Sequence, residues 1–388
     1  MKTQYPLLLA LFVAACGGSG GGGQPPPDPG TPPVSYQERM RVISMPFART
    51  DHAAITLTDG RVLIVGGLDE SKLAARPMYV FDPSSETFTS FGSLGTAGPL
   101  GFAAIALKDN NALVIGGVPG SAGTNAVLIK SGNVTPTAGQ PHTLRAWGTA
   151  TGLTDGKVLI TGGLLATADD NGNAIGISAT PDRTAEAYDP ATGTFTVLPG
   201  LLTAGRYRHT ATATTDGRVL IYGGITESGE PAPPELYDPA TSTFIVQPAA
   251  ESGVRANHAA VKTSNGDIWI VGGEDPNGSA LTSVIRFDHA TRTLSHALDL
   301  ATARTLLGAA ALPDTRILVA GGGVSQTSSH VADSSELITT ATSLAHPGPQ
   351  LTTARRSNTI TTLSNGKALI AGGVDQNGNP LATAEIYE

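Results

Sequence analysis

The chain has 388 residues, of which 48 are Gly and 27 are Pro; so many turn-formers exclude a mainly helical protein, and the lack of a Gly-x-y period excludes collagen. Only 14% of residues are charged while 40% are hydrophobic, so apolar surface suffices for a core and global disorder is excluded. Net charge is -8 and the 24 basic residues form no run, which leaves no electrostatic footprint for a nucleic-acid partner.

In chain order, Lys2 opens a short basic region, and Leu7 to Ala14 forms an apolar stretch far below the roughly 20 residues that cross a bilayer. Residues 1–15 therefore read as an export signal. Val13-Ala14-Ala15 precede Cys16, the one cysteine of the chain, and the pattern resembles the lipobox of bacterial lipoproteins. That resemblance implies acylation of Cys16 after cleavage, giving a nearly irreversible anchor as the sole membrane contact. Gly17 is not the Asp that retains lipoproteins in the inner membrane of enteric-type bacteria, so the resemblance implies the outer membrane of a bacterial cell envelope. A lone cysteine also leaves no disulfide, and stability must come from burial. Residues 16–33 hold this Cys16 and a Gly-rich then Pro-rich tether, flexible in its first half and extended in its second.

From Val34 to Glu388 an apolar run ending in Gly-Gly recurs seven times, as RVLIVGG to Gly67, NALVIGG to Gly117, KVLITGG to Gly163, RVLIYGG to Gly224, DIWIVGG to Gly273, RILVAGG to Gly322 and KALIAGG to Gly373. The mean spacing of about 51 residues suits propeller blades. Five runs follow Asp-Gly or Asn-Gly pairs (Asp59-Gly60, Asp155-Gly156, Asp216-Gly217, Asn265-Gly266, Asn365-Gly366), which predict two-residue hairpins. A third strand then reaches a second turn, as in AEAYDPATGTF from Ala185 to Phe195. Each repeat reads as four antiparallel strands.

The Gly pair, the Arg and His upstream of it and the Tyr-Asp-Pro turn resemble the kelch repeat, and the galactose oxidase central domain in particular, across residues 34–388. The fourth-strand Trp common in kelch units is Phe88, Phe195 or Phe244 here, and Val134, Leu294 or Leu344 elsewhere. The resemblance implies an all-β, seven-bladed β-propeller with four antiparallel strands per blade. The last repeat ends at its third strand, at Tyr387-Glu388, whereas Val34 to His52 has fourth-strand character. Residues near 35–45 are therefore expected to complete the last blade, because an unpaired edge would otherwise remain.

Seventeen residues before each Gly pair stand Arg49, Pro99, Arg145, Arg206, Arg255, Arg304 and Arg355. Six guanidinium groups at one channel mouth would attract carboxylate or phosphate. Alternatively, each Arg meets a need shared by every blade by pairing with Glu186, Glu235, Glu336 or Glu385, or by binding carbonyls between blades. His52, His209 and His258 lie three residues after an Arg; a metal needs about three converging ligands, and the repeat separates these, so hydrogen bonding at strand starts is expected and neither metal nor cofactor is. The longest loop, Leu164 to Arg183, carries Asp169, Asp170 and Asn171, a candidate binding loop that lacks the closing acid of a calcium site.

Galactose oxidase relatives require copper and a cysteine-crosslinked tyrosine, and Cys16 is committed to the anchor. No G-x-S-x-G, H-E-x-x-H or P-loop pattern is present, so the expectation is a monomeric, envelope-anchored binding module for a glycan or protein, without catalysis. The alternative is a carbohydrate-active envelope enzyme such as a kelch-type sugar mutarotase, using arginines and an acid at the mouth.

Overall fold

The computed structural model describes residues 38–95, 100–117, 126–168, 174–229, 232–248, 255–325 and 329–388. No helix occurs among them; the chain is all-β. β1 (Met40–Arg49) is followed by a first sheet of β2 (Ala53–Thr56), β3 (Val62–Val65), β4 (Pro77–Asp82) and β5 (Thr87–Ser93). The second sheet holds β6 (Ala103–Ala106), β7 (Asn111–Ile115), β8 (Ala126–Lys130) and β9 (Asn133–Pro136).

The third repeat contains β10 (Arg145–Ala146), β11 (Thr149–Gly152), β12 (Val158–Thr161), β13 (Leu164–Ala168), β14 (Ala174–Pro181), β15 (Ala185–Asp189) and β16 (Thr194–Val197). Here β11-β12-β15-β16 form the four-stranded sheet and β10-β13-β14 an additional three-stranded one. The segment expected as the longest loop is thus a hairpin, and Asp169, Asp170 and Asn171 lie outside the described residues.

The fourth sheet holds β17 (Thr210–Ala213), β18 (Val219–Tyr222), β19 (Glu235–Asp238) and β20 (Thr243–Val246); the fifth, β21 (Ala259–Lys262), β22 (Ile268–Val271), β23 (Leu281–Asp288) and β24 (Thr293–Arg304). The sixth is built from β25 (Gly308–Ala311), β26 (Arg316–Ala320), β27 (Ser335–Thr339) and β28 (Leu344–Pro347). In the last, β29 (Thr359–Thr362), β30 (Ala368–Ala371) and β31 (Leu381–Tyr387) are joined by β1, which runs antiparallel to β31 with Met40 opposite Tyr387 and Ser44 opposite Thr383.

The apolar runs ahead of the Gly pairs become the second strand of each sheet because they are covered on both faces. In β3, Leu63 and Val65 pack with Val114 and Ile129 of the second sheet, whereas Val62 and Ile64 pack with Leu369 and Ile386 of the last. Alternate side chains of a strand point to opposite faces, so a continuous Val/Ile/Leu run satisfies two interfaces at once. The described core consists of seven such clusters, each shared by two sheets consecutive in the chain or by the last and the first. The first strands β2, β6, β11, β17, β21, β25 and β29 lie each against the next, and β29 lies against β2. The arrangement is propeller-like.

The Asp-Gly and Asn-Gly turns differ from the two-residue hairpins expected. In the first repeat the Gly60 N–H donates to the Leu57 carbonyl at 3.0 Å and the Leu57 N–H to that of Arg61 at 2.8 Å, and of the Asp59-Gly60 pair only the glycine has positive φ. A two-residue type I′ turn needs both central residues there. It occurs instead in the second repeat, where Asp109 and Asn110 have φ of 58° and 57°.

Candidate functional site

The six arginines are buried, and Arg206, Arg304 and Arg355 have no exposure at all. Each sends one guanidinium nitrogen to the carbonyl of the first Gly of its own repeat: Arg49 to Gly66 (3.1 Å), Arg145 to Gly162 (3.1 Å), Arg206 to Gly223 (3.4 Å), Arg255 to Gly272 (2.8 Å), Arg304 to Gly321 (2.8 Å) and Arg355 to Gly372 (2.8 Å). Each also donates to a carbonyl at the start of the third strand, such as Pro77 for Arg49 and Ser283 for Arg255. Four go further and meet a buried glutamate: Arg145 with Glu186 (2.8 Å), Arg206 with Glu235, Arg304 with Glu336 (3.1 Å) and Arg355 with Glu385 (2.8 Å). The glutamates in turn accept backbone N–H groups entering the same repeat, as Glu385 does from Thr352 and Thr353. The guanidinium donors are turned onto the backbone, so Arg49, Arg145, Arg206, Arg255, Arg304 and Arg355 do not form the anion-attracting funnel considered from the sequence. Buried carbonyls and carboxylates need partners, and an Arg supplies them in six of the seven repeats.

The histidines link neighbouring sheets. His52 Nε2 lies 2.9 Å from Thr359 Oγ1, His209 Nε2 3.1 Å from Thr149 Oγ1, and His258 Nε2 2.8 Å from Thr210 Oγ1. Burial disfavours the imidazolium and pushes the pKa of His52 and His258 down to about 3, with the charges of Arg49 and Arg255 acting in the same sense. His209 is lowered well below its usual value for the same first reason. Each ring covers the first Gly of the preceding repeat. A Cβ on Gly162 would stand 2.6 Å from both the Arg206 carbonyl oxygen and His209 Cε1, and Gly162 has φ of +59°, so only glycine fits on two counts.

The residues that vary at this level are two positions after each Arg, or after Pro99 in the second repeat: Asp51, Gly101, Trp147, Arg208, Asn257, Leu306 and Ser357. All seven have positive φ, between 51° and 64°. Their backbones are hydrogen-bonded from one repeat to the next, Trp147 N–H to Gly101 O (2.5 Å), Arg208 to Trp147 (3.0 Å), Leu306 to Asn257 (3.1 Å) and Ser357 to Leu306 (2.8 Å). A left-handed conformation costs a non-glycine residue roughly 1–2 kcal/mol, and in Trp or Leu it is a genuine outlier. Such strain persists where the surrounding structure dictates it and often where function uses it. Five of the six non-glycine residues in this conformation border one cavity.

A cavity of about 310 Å³ opens there, bordered by Asp51, Trp147, Asn257, Leu306 and Ser357, with His52, His258 and Asn358 also on its wall. Burial raises the Asp51 carboxyl pKa, against hydrogen bonds from Thr50 and Ser357 and the charges of Arg208 and Arg356. Asp51 is nevertheless exposed: protein encloses it from the sides while the open mouth admits solvent, which screens part of that shift. The Arg208 guanidinium stands 5.6 Å over the Trp147 ring. Asn257 donates to buried Glu274 at 2.8 Å, and Asn358 is buried on the wall with neither amide atom hydrogen-bonded. The set offers an acid–base group, a cation, an aromatic face and amide and hydroxyl groups. No residue type repeats in it, which is why the repeat did not reveal it; the one sequence signal was variability beside an Arg that recurs in six of the seven repeats.

Among the described residues no three His, Cys, Asp or Glu ligand atoms converge at the mouth. His52 and His258 line one cavity, yet each Nε2 is engaged by a threonine. Among the described residues the only group of three His, Cys, Asp or Glu ligand atoms lying together is Asp267, Asp288 and His289, at the strand ends remote from the Gly pairs. Its centre, Asp267, is already bound by Arg286 and His289.

No protein-family model matches this sequence, and no curated protein matches it. Among solved structures the chain is similar to a fungal alcohol oxidase of the AA5 family, described as having catalytic diversity among that family and solved in complex with copper. The TM-score is 0.69 at 16% identity, covering 90% of this chain and 75% of that one. The likeness counts against the expectation of a binding module without catalysis, since the protein that shares the fold is an oxidase; at 16% identity it shows the fold of this chain alone. The chain thus shares an all-β, galactose-oxidase-like fold with that protein, while among the described residues no three His, Cys, Asp or Glu ligand atoms lie together at the mouth.

Proposed function

We propose that the seven four-stranded sheets are blades of one closed kelch-type β-propeller, and that its mouth is a carbohydrate-active site working by acid–base chemistry rather than through copper. The observation that carries the reading is the set of unlike side chains Asp51, Trp147, Asn257 and Ser357, held in left-handed backbone around a cavity, with the Arg208 guanidinium beside Trp147. Trp147 provides apolar ring surface on the cavity wall, and Asn257 and Ser357 provide hydrogen bonds to hydroxyls. Asp51 is the proton-transfer group, and its raised pKa moves it toward the range where a carboxyl both accepts and returns a proton.

The reaction these groups suit is interconversion of sugar ring forms. Asp51 takes the proton of the anomeric hydroxyl, the bond from the anomeric carbon to the ring oxygen breaks, and the ring oxygen receives the proton, leaving an open-chain carbonyl. Closure on the other face reverses each step, so no oxidant is needed and atoms balance. Arg208, 5.6 Å from the Trp147 ring centre, stabilises negative charge developing on oxygen. The test is exchange NMR of a panel of reducing sugars, neutral and acidic. Accelerated anomer exchange that disappears in Asp51→Asn supports the reading; no acceleration for any sugar, or full activity in Asp51→Asn, overturns it.

We further propose that the chain is exported and anchored through Cys16 in a bacterial envelope, outer membrane favoured, with residues 34–388 as one monomeric catalytic domain. Labelled palmitate should enter the wild-type chain in cells and be absent from Cys16→Ser.

A further inference from the structure

At the strand ends remote from the mouth, the residue five before each first Gly is Arg61, Asn111, Lys157, Arg218, Asp267, Arg316 or Lys367. At three of the five repeats where it is a cation it links neighbouring segments, whereas Arg61 and Lys157 pair within their own turns, with Asp59 and Asp155. Lys367 Nζ lies 2.9 Å from Glu86 of the first sheet and 2.6 Å from Glu388. Arg316 pairs with Asp314 at 2.5 Å and donates to the Tyr387 hydroxyl of the next sheet at 3.3 Å. Arg218 pairs with Asp216 (2.7 Å) and Asp238 (2.9 Å), and Arg292 joins Asp216 at 2.9 Å.

Between the second and third sheets this link is missing. Asn111 occupies the position of Arg316, and Tyr188, which stands in its sheet where Tyr387 stands in the last, is fully buried with no hydrogen-bond partner on its hydroxyl. A cleft of about 560 Å³ opens at that junction, with Ile105, Leu107, Leu128 and Leu153 on its apolar floor and Lys108, Lys130 and Lys157 on its rim. Lys108 and Lys130 make no ion pair among the described residues, and the carboxylate nearest Lys157 is Asp155 at 3.7 Å. Two of the rim acids are occupied in turns: Asp155 accepts the Lys157 N–H at 3.0 Å and Asp189 the Ala191 N–H at 2.9 Å. The third, Asp109, lies on the exposed turn.

We propose that this cleft is a second binding site, separate from the mouth, for a slender amphipathic anion of the alkyl carboxylate class. The chain would displace water from the floor between the two sheets, an apolar burial favourable in proportion to its area. The carboxylate would meet Lys108 and Lys130, whose long stems lie along apolar surface while their ammonium groups stay at the rim.

Decanoate is the probe, titrated calorimetrically into the full chain carrying Cys16→Ser so that no acyl group is attached. Saturable 1:1 binding is expected, weakened roughly tenfold in Lys108→Ala/Lys130→Ala through loss of charge-assisted contacts. Asn111→Arg should abolish binding, because the new guanidinium would reach the Tyr188 hydroxyl as Arg316 reaches that of Tyr387, and should raise the melting temperature. Decylamine should bind at least tenfold more weakly than decanoate, by the same charge argument. Absence of saturable decanoate binding overturns the proposal, as does unchanged affinity in both variants or equal affinity for decylamine.

Discussion

Arg206 and Glu235, both without solvent exposure, form an ion pair inside the fourth repeat, and the same guanidinium also holds the carbonyls of Gly223 and Pro233. Glu235 completes the junction by accepting the Thr203 N–H and hydroxyl. One pair therefore fixes the entry to the sheet, its second strand and its third. Removing one partner leaves an uncompensated buried charge, so Glu235→Leu should lower unfolding free energy by about 3–5 kcal/mol, whereas Arg206→Met/Glu235→Leu should cost less than the two single changes summed. Urea denaturation of the three variants checks this; an additive double variant would show that the charges do not depend on each other.

Acid sensitivity follows from the histidines. His52 and His258 have folded pKa values of about 3, below the 6.5 of an unfolded histidine, so between these limits the unfolded chain binds the extra protons. Stability contributed by the neutral rings is complete above pH 6.5 and declines as pH falls toward 3, with a slope of about 1.4 kcal/mol per pH unit for each histidine. His52→Asn, which copies Asn358 of the last repeat, should reduce the slope measured between pH 5 and 6 by about one proton. An unaltered slope would place the His52 pKa near its unperturbed value.

The strained ring can be relaxed at Ser357. Its φ is 53° and its side chain hydrogen-bonds Asp51. Ser357→Gly should raise stability by up to about 1 kcal/mol, because glycine carries no left-handed penalty. The Asp51 pKa should climb further, since a hydrogen bond that favours its ionised form is lost. Thermal unfolding and carboxyl titration by NMR give the two readouts, and a destabilised variant would contradict the strain argument.

β1 closes the last sheet in register from Met40 to Ser44, and Met45 enters the cluster with Phe81 and Ile386. Deleting residues 34–45 should expose the β31 edge and the core beneath it, lowering the melting midpoint and the cooperativity of unfolding. A truncated chain with an unchanged midpoint would mean that the strand adds nothing to the folded unit.

Asp51→Asn should lower kcat/KM for the proposed ring-form interconversion by about 10²–10⁴ while leaving the fold intact, the usual contribution of a positioned acid–base group. Rates matching wild type across pH 4 to 8 would remove Asp51 from the chemistry.

The sequence alone determined the repeat: the apolar runs ending in a Gly pair recur in all seven units and the upstream Arg in six, because they meet needs the sheets share, so they can be read by alignment of the chain with itself. The Arg–Glu pairs, too, were legible as one of two readings, because both partners recur at fixed positions. Only the tertiary structure decided which of those readings held, by burying the guanidinium groups. The ring running from Asp51 to Ser357 stayed hidden because its common property is a backbone angle forced by neighbouring repeats, and Asp, Gly, Trp, Arg, Asn, Leu and Ser share no side-chain chemistry that signals it. The cleft beside Asn111 was hidden for the complementary reason: it lies where a contact made at other junctions is lacking, and a missing contact between sheets exists only once the sheets are side by side.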